Sequence, residues 1–237
     1  MNVLYLFDVD GVLCDAGCKI DPEFKTFFLE WAVDKQYYLI TGGERKSTID
    51  QIGIEIVENA EVGFHCMGNQ IFMEGNEYKI NQVQLNDSER EWLETYAATS
   101  SHQYNSGNYI EQRSGSINYS VIGKNASIEQ KKEYFAWDAI HNERKFLIKE
   151  IARLFPRLEA FIGGNASIDI CLRGANKGGC VDLLYQASNY IKFFGDRCFP
   201  DGIDYPIVVL LRNDMLSPAI YSITTGYKET WENLKIL

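Results

Sequence analysis

A chain of 237 residues, 46% of them hydrophobic, can bury a sizeable core as one large domain or two modest ones. Its net charge of −10, with no basic run to offset it, argues against nucleic acid as a partner, and no apolar stretch approaches a membrane span. Six cysteines form no C-x-x-C pair and no secretion signal precedes the first apolar run, so free thiols in a cytoplasmic protein are expected.

The first run, Val3 to Phe7, is continuously apolar, as a parallel strand buried on both faces should be. It ends in Asp8-Val9-Asp10-Gly11, where Gly11 permits a sharp turn. Asp21-Pro22-Glu23 then opens a helix, with Asp21 as N-cap and Phe24, Phe27, Phe28 and Trp31 at helical spacing. Tyr37 to Ile40 reads as a second buried strand ending at Thr41-Gly42-Gly43. Strand, helix and strand imply a right-handed parallel crossover, which brings Thr41 beside Asp8 at one sheet edge. Ser47 to Ile56 is expected to be helical, Val62 to Cys66 a strand, and Gly68 to Met73 with Glu77 to Ile80 a hairpin.

The character changes near Asn81. Asp87 to Thr99 reads as a polar helix. Tyr109 to Arg113 and Ser116 to Val121 alternate about Ser114-Gly115, predicting an antiparallel hairpin with one exposed face. A long helical stretch, Ser127 to Phe155, is expected to break between Ala139 and Asn142 and to stop at Pro156. Leu158 to Ile162 and Ser167 to Leu172 form a second strand pair about Gly163-Gly164. Asn176-Lys177-Gly178-Gly179 opens a helix carrying Val181, Leu183 and Leu184. Ile191 to Phe194 is a strand ending at Gly195-Asp196; Cys198 to Asp204 is a loop, Pro206 to Leu211 and Ala219 to Ile223 are the last apolar runs, and a short helix closes the chain.

Ligands of such sheets bind beyond the carboxyl ends of the strands, where Asp8 and Asp10 emerge. Two close carboxylates repel unless a cation sits between them, and Mg²⁺ is the usual hard cation. One carboxylate can attack phosphorus and the other can carry the proton. The plainer alternative is a strand end and a turn. Thr41 followed by Gly42 and Gly43 can hold phosphate oxygens through a hydroxyl and backbone N–H groups, or can cap a helix. Lys177 can balance Asp8 or be solvated. Asp196 ends a strand as Asp8 does and can share the Mg²⁺; Asp204 ranks lower, as a loop charge. The three histidines lack metal-like spacing.

In combination, Asp-x-Asp-Gly, Thr41, Lys177 and Gly195-Asp196 resemble the four motifs of the haloacid dehalogenase (HAD) superfamily. The resemblance implies an α/β fold: a HAD-like Rossmannoid parallel-sheet core, residues 1–80 and 174–237, with an inserted α+β cap, residues 81–173. It implies Asp8 as nucleophile and Asp10 as general acid/base, with Asp8, Asp10 and Asp196 on Mg²⁺. Three further segments, 109–124, 162–169 and 193–204, are similar to the eukaryotic-type phosphomannomutase family. That resemblance implies a cap holding a phosphorylated sugar through Arg113, Lys124, Lys131, Ser167 and Asp169. The bland alternative for the three cations is solvated surface. Lys124 and Lys131 stand where the family has arginine, Gly17 replaces another arginine, and Ile203 replaces an asparagine. The expected function is Mg²⁺-dependent phosphoryl transfer on a sugar phosphate, by a mutase or by a phosphatase on the same scaffold; a non-catalytic sugar-phosphate binder is the third reading. A small-molecule substrate with no nucleic acid and no membrane follows, and a homodimer is left open.

Overall fold

The computed structural model describes residues 3–180, 184, 190–213 and 219–237. A seven-stranded sheet carries the first and last parts of the chain. It comprises β1 (Val3–Phe7), β2 (Gln36–Ile40), β3 (Val62–His65), β4 (Gln70–Met73), β5 (Asn76–Ile80), and later β10 (Tyr190–Gly195) and β11 (Ala219–Ser222), in the order β11-β10-β1-β2-β3-β4-β5. The first five positions are mutually parallel, and β4 and β5 close one edge antiparallel. Alternate residues of β1 serve two cores. Tyr5 and Phe7 pack on α1 (Pro22–Ala32) and α8 (Tyr227–Leu234), while Leu4 and Leu6 pack on α7 (Tyr205–Asn213). Cover on both faces is why β1 is apolar throughout.

The Asp21 side chain accepts from the N–H groups of Glu23 and Phe24, with Pro22 as the first helical residue, as its sequence predicts. The helix expected over Ser47–Ile56 is two, α2 (Arg45–Ile52) and α3 (Ile54–Glu58). Gly53, at φ +90°, breaks it, a conformation that a residue with a Cβ rarely adopts. Pro206–Leu211 lies within α7, whereas Ala219–Ser222 is the edge strand β11. Val181 and Leu183 lie outside the described residues; Leu184 is buried.

A separate four-stranded antiparallel sheet is built from β6 (Ile110–Gln112), β7 (Ile117–Tyr119), β8 (Leu158–Ile162) and β9 (Ile168–Leu172), in the order β6-β7-β9-β8. Its apolar face packs on α4 (Asp87–Thr99) and α6 (Glu143–Leu154), through Leu93, Ala97, Leu147 and Ile151 against Tyr119, Leu158 and Ile170. Helix α5 (Ile128–His141) is separated from α6 by Asn142, in the left-handed conformation within the expected break. The other face of β7 was expected to meet solvent and does not: Ser116, Asn118 and Ser120 are buried. The alternation is present, but Asn118 bonds to Ser167 and Asp169 and Ser120 to Ala166 O rather than to water, while the Ser116 hydroxyl is buried without a partner.

Candidate active site

The parallel register ends β1, β2 and β10 together, with Phe7 opposite both Leu39 and Phe194. Asp8, Thr41 and Asp196 therefore leave the sheet at one edge, by β-pairing alone. Asp8 is buried, its Oδ1 accepting from Val9 N at 2.8 Å and from Lys177 Nζ at 2.9 Å. Lys177, fully buried at the start of a 3-10 turn, also donates to Asp204 Oδ1 at 2.8 Å. Oxygens of Asp8, Asp196 and Asp204 lie within 4.8 Å of one another.

Electrostatics follow from that crowding. Burial, then Asp204, raises the Asp8 carboxyl well above its ordinary value, against the pull of Lys177. Burial pushes Asp196 up to about 7, although Arg197 Nε, 3.2 Å away, pulls it down. Burial alone would lower Lys177, but Asp204 and Asp8 outweigh it and hold the ammonium charged. Three carboxylates against the Lys177 ammonium and the Arg197 guanidinium still leave excess negative charge, which a hard divalent cation with oxygen ligands fits. Gly11, at φ +78°, lets the chain pass Asp196: a Cβ there would stand 2.5 Å from Asp196 Oδ2.

The second strand end forms a loop. Thr41 is buried and its Oγ1 accepts from Gly43 N at 3.0 Å. The loop rests on a left-handed turn, Cys66-Met67-Gly68 (φ 49°, 65° and 86°), whose first two N–H groups donate to Gly43 O and Thr41 O at 2.8 Å each.

The antiparallel sheet reaches this loop directly. Arg113 Nη1 donates to Gly42 O at 2.8 Å and to Asp169 Oδ1 at 3.1 Å. Its other donors grip Glu111 Oε2, which also takes Lys124 Nζ at 2.8 Å. Burial works against Glu111 ionising, but Arg113 and Lys124 hold its carboxyl below the ordinary value. Asn118 Nδ2 donates to Asp169 Oδ1 and Ser167 Oγ, and Asn118 Oδ1 accepts from Lys124. Ser114 donates through its N–H and hydroxyl to Glu44 at the start of α2. On the far side Ile162 and the loop before Asp204 exchange backbone hydrogen bonds, and Ile203 packs against Phe161, Met67 and Cys171.

The family model of eukaryotic phosphomannomutase matches residues 26–219. The chain belongs to the eukaryotic phosphomannomutase family. It is 29% identical to the phosphomannomutase of Arabidopsis thaliana over 214 residues, 87% of each chain, and 29% identical to that of Spinacia oleracea over 213 residues, 86% of each. A solved structure of the trehalose-6-phosphate phosphatase C-terminal domain of C. albicans superposes with a TM-score of 0.66 at 14% identity, covering 99% of this chain and 92% of that one. That likeness concerns fold: the parallel sheet is of the haloacid dehalogenase type.

Among the residues singled out in this phosphomannomutase-family sequence, Asp8, Thr41, Lys177 and Asp196 converge at the sheet edge, and Arg113, Lys124, Ser167 and Asp169 form one cluster facing Gly42. Asp10 stands apart from the acidic cluster. Its Oδ1 is held by Gly17 N and Gln51 Nε2, both at 2.8 Å, so the third carboxylate of the cluster is Asp204 rather than Asp10. Asp204, expected as a loop charge, is instead fully buried against Lys177 and accepts from Arg197 N. Lys131 lies in the second turn of α5, with no recorded ion pair among the described residues. Asn118, Glu111, Glu44 and Gln51 were not singled out. Asn118 had no local signal, since it stands opposite Asp169 only through the pairing of β7 with β9. Glu44 and Gln51 had none, because their partners are distant in sequence.

Proposed function

We propose that the chain is a Mg²⁺-dependent phosphotransferase on sugar phosphates, working as a hexose-phosphate mutase of the phosphomannomutase type. The observation that carries this is the Arg113 guanidinium, which spans from Asp169 on the antiparallel sheet to Gly42 O beside the buried acidic cluster. Residues 81–173 are taken as the cap and 1–80 with 174–237 as the catalytic core, in a cytoplasmic protein; no described helix is long and apolar enough to cross a membrane.

Asp8 Oδ1 is engaged by Val9 and Lys177, leaving Oδ2 to attack phosphorus. As the Asp8 oxygen–phosphorus bond forms, the sugar oxygen–phosphorus bond breaks, and that sugar oxygen takes a proton from Asp10. In the second half Asp10 takes the proton of an acceptor hydroxyl, whose oxygen attacks the aspartyl-phosphate and frees Asp8. Gly17 N and Gln51 hold Asp10 for both transfers. Thr41, with the N–H groups at Gly42 and Gly43, would hold the transferring group's oxygens. Asp8, Asp196 and Asp204 would hold Mg²⁺, which supplies charge neutralisation at the phosphoryl oxygens. Lys177 favours the ionised, nucleophilic form of Asp8, against burial and Asp204. Arg113, Lys124, Lys131, Ser167 and Asp169 would take the sugar's far end, whether phosphate or hydroxyl.

The phosphatase reading has one observation in its favour. Gly17 is exposed with nothing within 4 Å of its Cβ position, so the Asp10 side is open to water. Mannose 1-phosphate with Mg²⁺ and a trace of hexose 1,6-bisphosphate tests the two. Mannose 6-phosphate with little free phosphate is expected; stoichiometric phosphate without the 6-phosphate would give the case to the phosphatase. Asp8→Asn and metal chelation should each abolish turnover, and full activity in either would sink the aspartyl-phosphate mechanism.

A further inference from the structure

The chain crosses between the two sheets twice, leaving after Ile80 and returning after Leu172. One side chain touches both crossings. Asn69 is almost fully buried, and its Nδ2 donates to Ala175 O, on the return, at 2.6 Å and to Cys66 O at 3.0 Å. Its Oδ1 accepts from Asn81 Nδ2, on the exit, at 3.2 Å, and its carbonyl accepts from Asn81 N at 2.7 Å. All the hydrogen-bonding capacity of the amide that the structure uses goes to these two linkers and to Cys66, the residue whose N–H holds Gly43 O. Ala175 is two residues before Lys177. The tip of the β6–β7 hairpin also lands here: a Cβ on Gly115 would stand 2.6 Å from Asn69 Cβ.

We infer that Asn69 is a positioning residue that couples the cap's two crossings to the phosphate-holding loop and to Lys177, so that the cap closes in register with the catalytic groups. A short amide is required at this point. It must give two N–H donors and one acceptor from a single planar group, which aspartate, alanine and serine cannot do. Without it the crossings move independently, and closure no longer excludes water reliably. The consequence for catalysis rests on the mutase reading; the mechanical link does not.

The test uses the full chain with Asn69→Ala, Asn69→Asp and Asn81→Ala. Amide hydrogen exchange of the unliganded protein is read at residues 81–85 and 173–176. Asn69→Ala should speed exchange at both crossings, by about three- to tenfold, the worth of one buried hydrogen bond. Asn69→Asp keeps the acceptor for Asn81 and loses the donor to Ala175, so only the return should speed up; Asn81→Ala should affect only the exit. Unchanged exchange at both crossings, or a rise spread equally over β1, β2 and β3, would overturn the inference. On mannose 1-phosphate, Asn69→Ala should raise the ratio of free phosphate to isomerised product several-fold. An unchanged ratio would also count against it. If the wild-type chain makes no isomerised product, the mutase reading fails, and the exchange data alone still decide the role of Asn69.

Discussion

His65, the last residue of β3, is fully buried, with its Nδ1 3.2 Å from Thr48 Oγ1 and its ring edge-on to Phe72. The Thr48 hydroxyl donates to Glu44 O, so Nδ1 carries the proton and Nε2 is a bare acceptor with no partner. Burial, aided by Arg45, lowers its pKa from 6.5 to about 4. The unfolded chain therefore binds a proton that the folded protein refuses. This contribution to stability is whole above 6.5 and is lost as pH falls towards about 4, at roughly 1.4 kcal/mol per pH unit. Urea midpoints of wild type and His65→Gln between pH 7.5 and pH 4.5 should converge as the medium becomes acidic. Parallel curves would show that His65 is not held neutral. The effect concerns α2, since Thr48 and Glu44 belong to the segment that also meets Ser114.

At the scale of elements, the break between α5 and α6 rests on Asn142 at φ 57° and ψ 33°, with its N–H returning to Asp138 O at 2.7 Å. Asp138 in turn accepts from Arg144 N and Nε, which fixes the start of α6. Glycine visits this conformation freely and asparagine tolerably, while alanine carries a Cβ penalty of roughly 1–2 kcal/mol. Asn142→Ala should lose about that much in urea unfolding, and Asn142→Gly should stay near wild type. Equal losses in both would mean that the asparagine side chain, not the backbone conformation, matters. The strands and helices were largely legible because their signals are local: the apolar run of β1, the Asp21-Pro22 start of α1, the break at Asn142. The division of α2 from α3 was missed because Gly53 lies inside an otherwise helical pattern, where glycine is merely unfavourable. The sequence does not distinguish the strand at Ala219–Ser222 from the helix at Tyr205–Asn213, because short apolar runs fit either period.

For the whole molecule, the arrangement of the two sheets decides which charges meet. Arg113 has its guanidinium shared between Glu111, Asp169 and Gly42 O, one partner being across the cleft. Arg113→Ala should lower kcat/KM for a sugar phosphate by about 10- to 100-fold, the worth of a charge-assisted hydrogen bond of roughly 1.5–3 kcal/mol. A small aryl phosphate, too short to reach it, should be affected far less. Equal effects on both substrates would mean that Arg113 shapes Gly42 rather than binding the far end of the sugar.

By itself the sequence determined what runs along the chain: a buried parallel strand ending in Asp8, a Thr41-Gly42-Gly43 strand end, an acidic strand end at Asp196, and antiparallel strand pairs with helices between the two parts of the parallel sheet, while Lys177, expected to open a helix, stands in a 3-10 turn. These are readable because strand periods, caps and turn residues act over a few positions. Only the tertiary structure decided that Asp204 joins Asp8 and Asp196 while the Asp10 carboxylate turns to Gly17 and Gln51. Both aspartates of the first motif follow the same strand, and nothing local says which carboxylate faces Lys177. The polar side of the β6–β7 hairpin was likewise misjudged as exposed. Alternation separates two faces, but whether the polar one meets water or another layer depends on how the second sheet docks on the first, which no local pattern encodes.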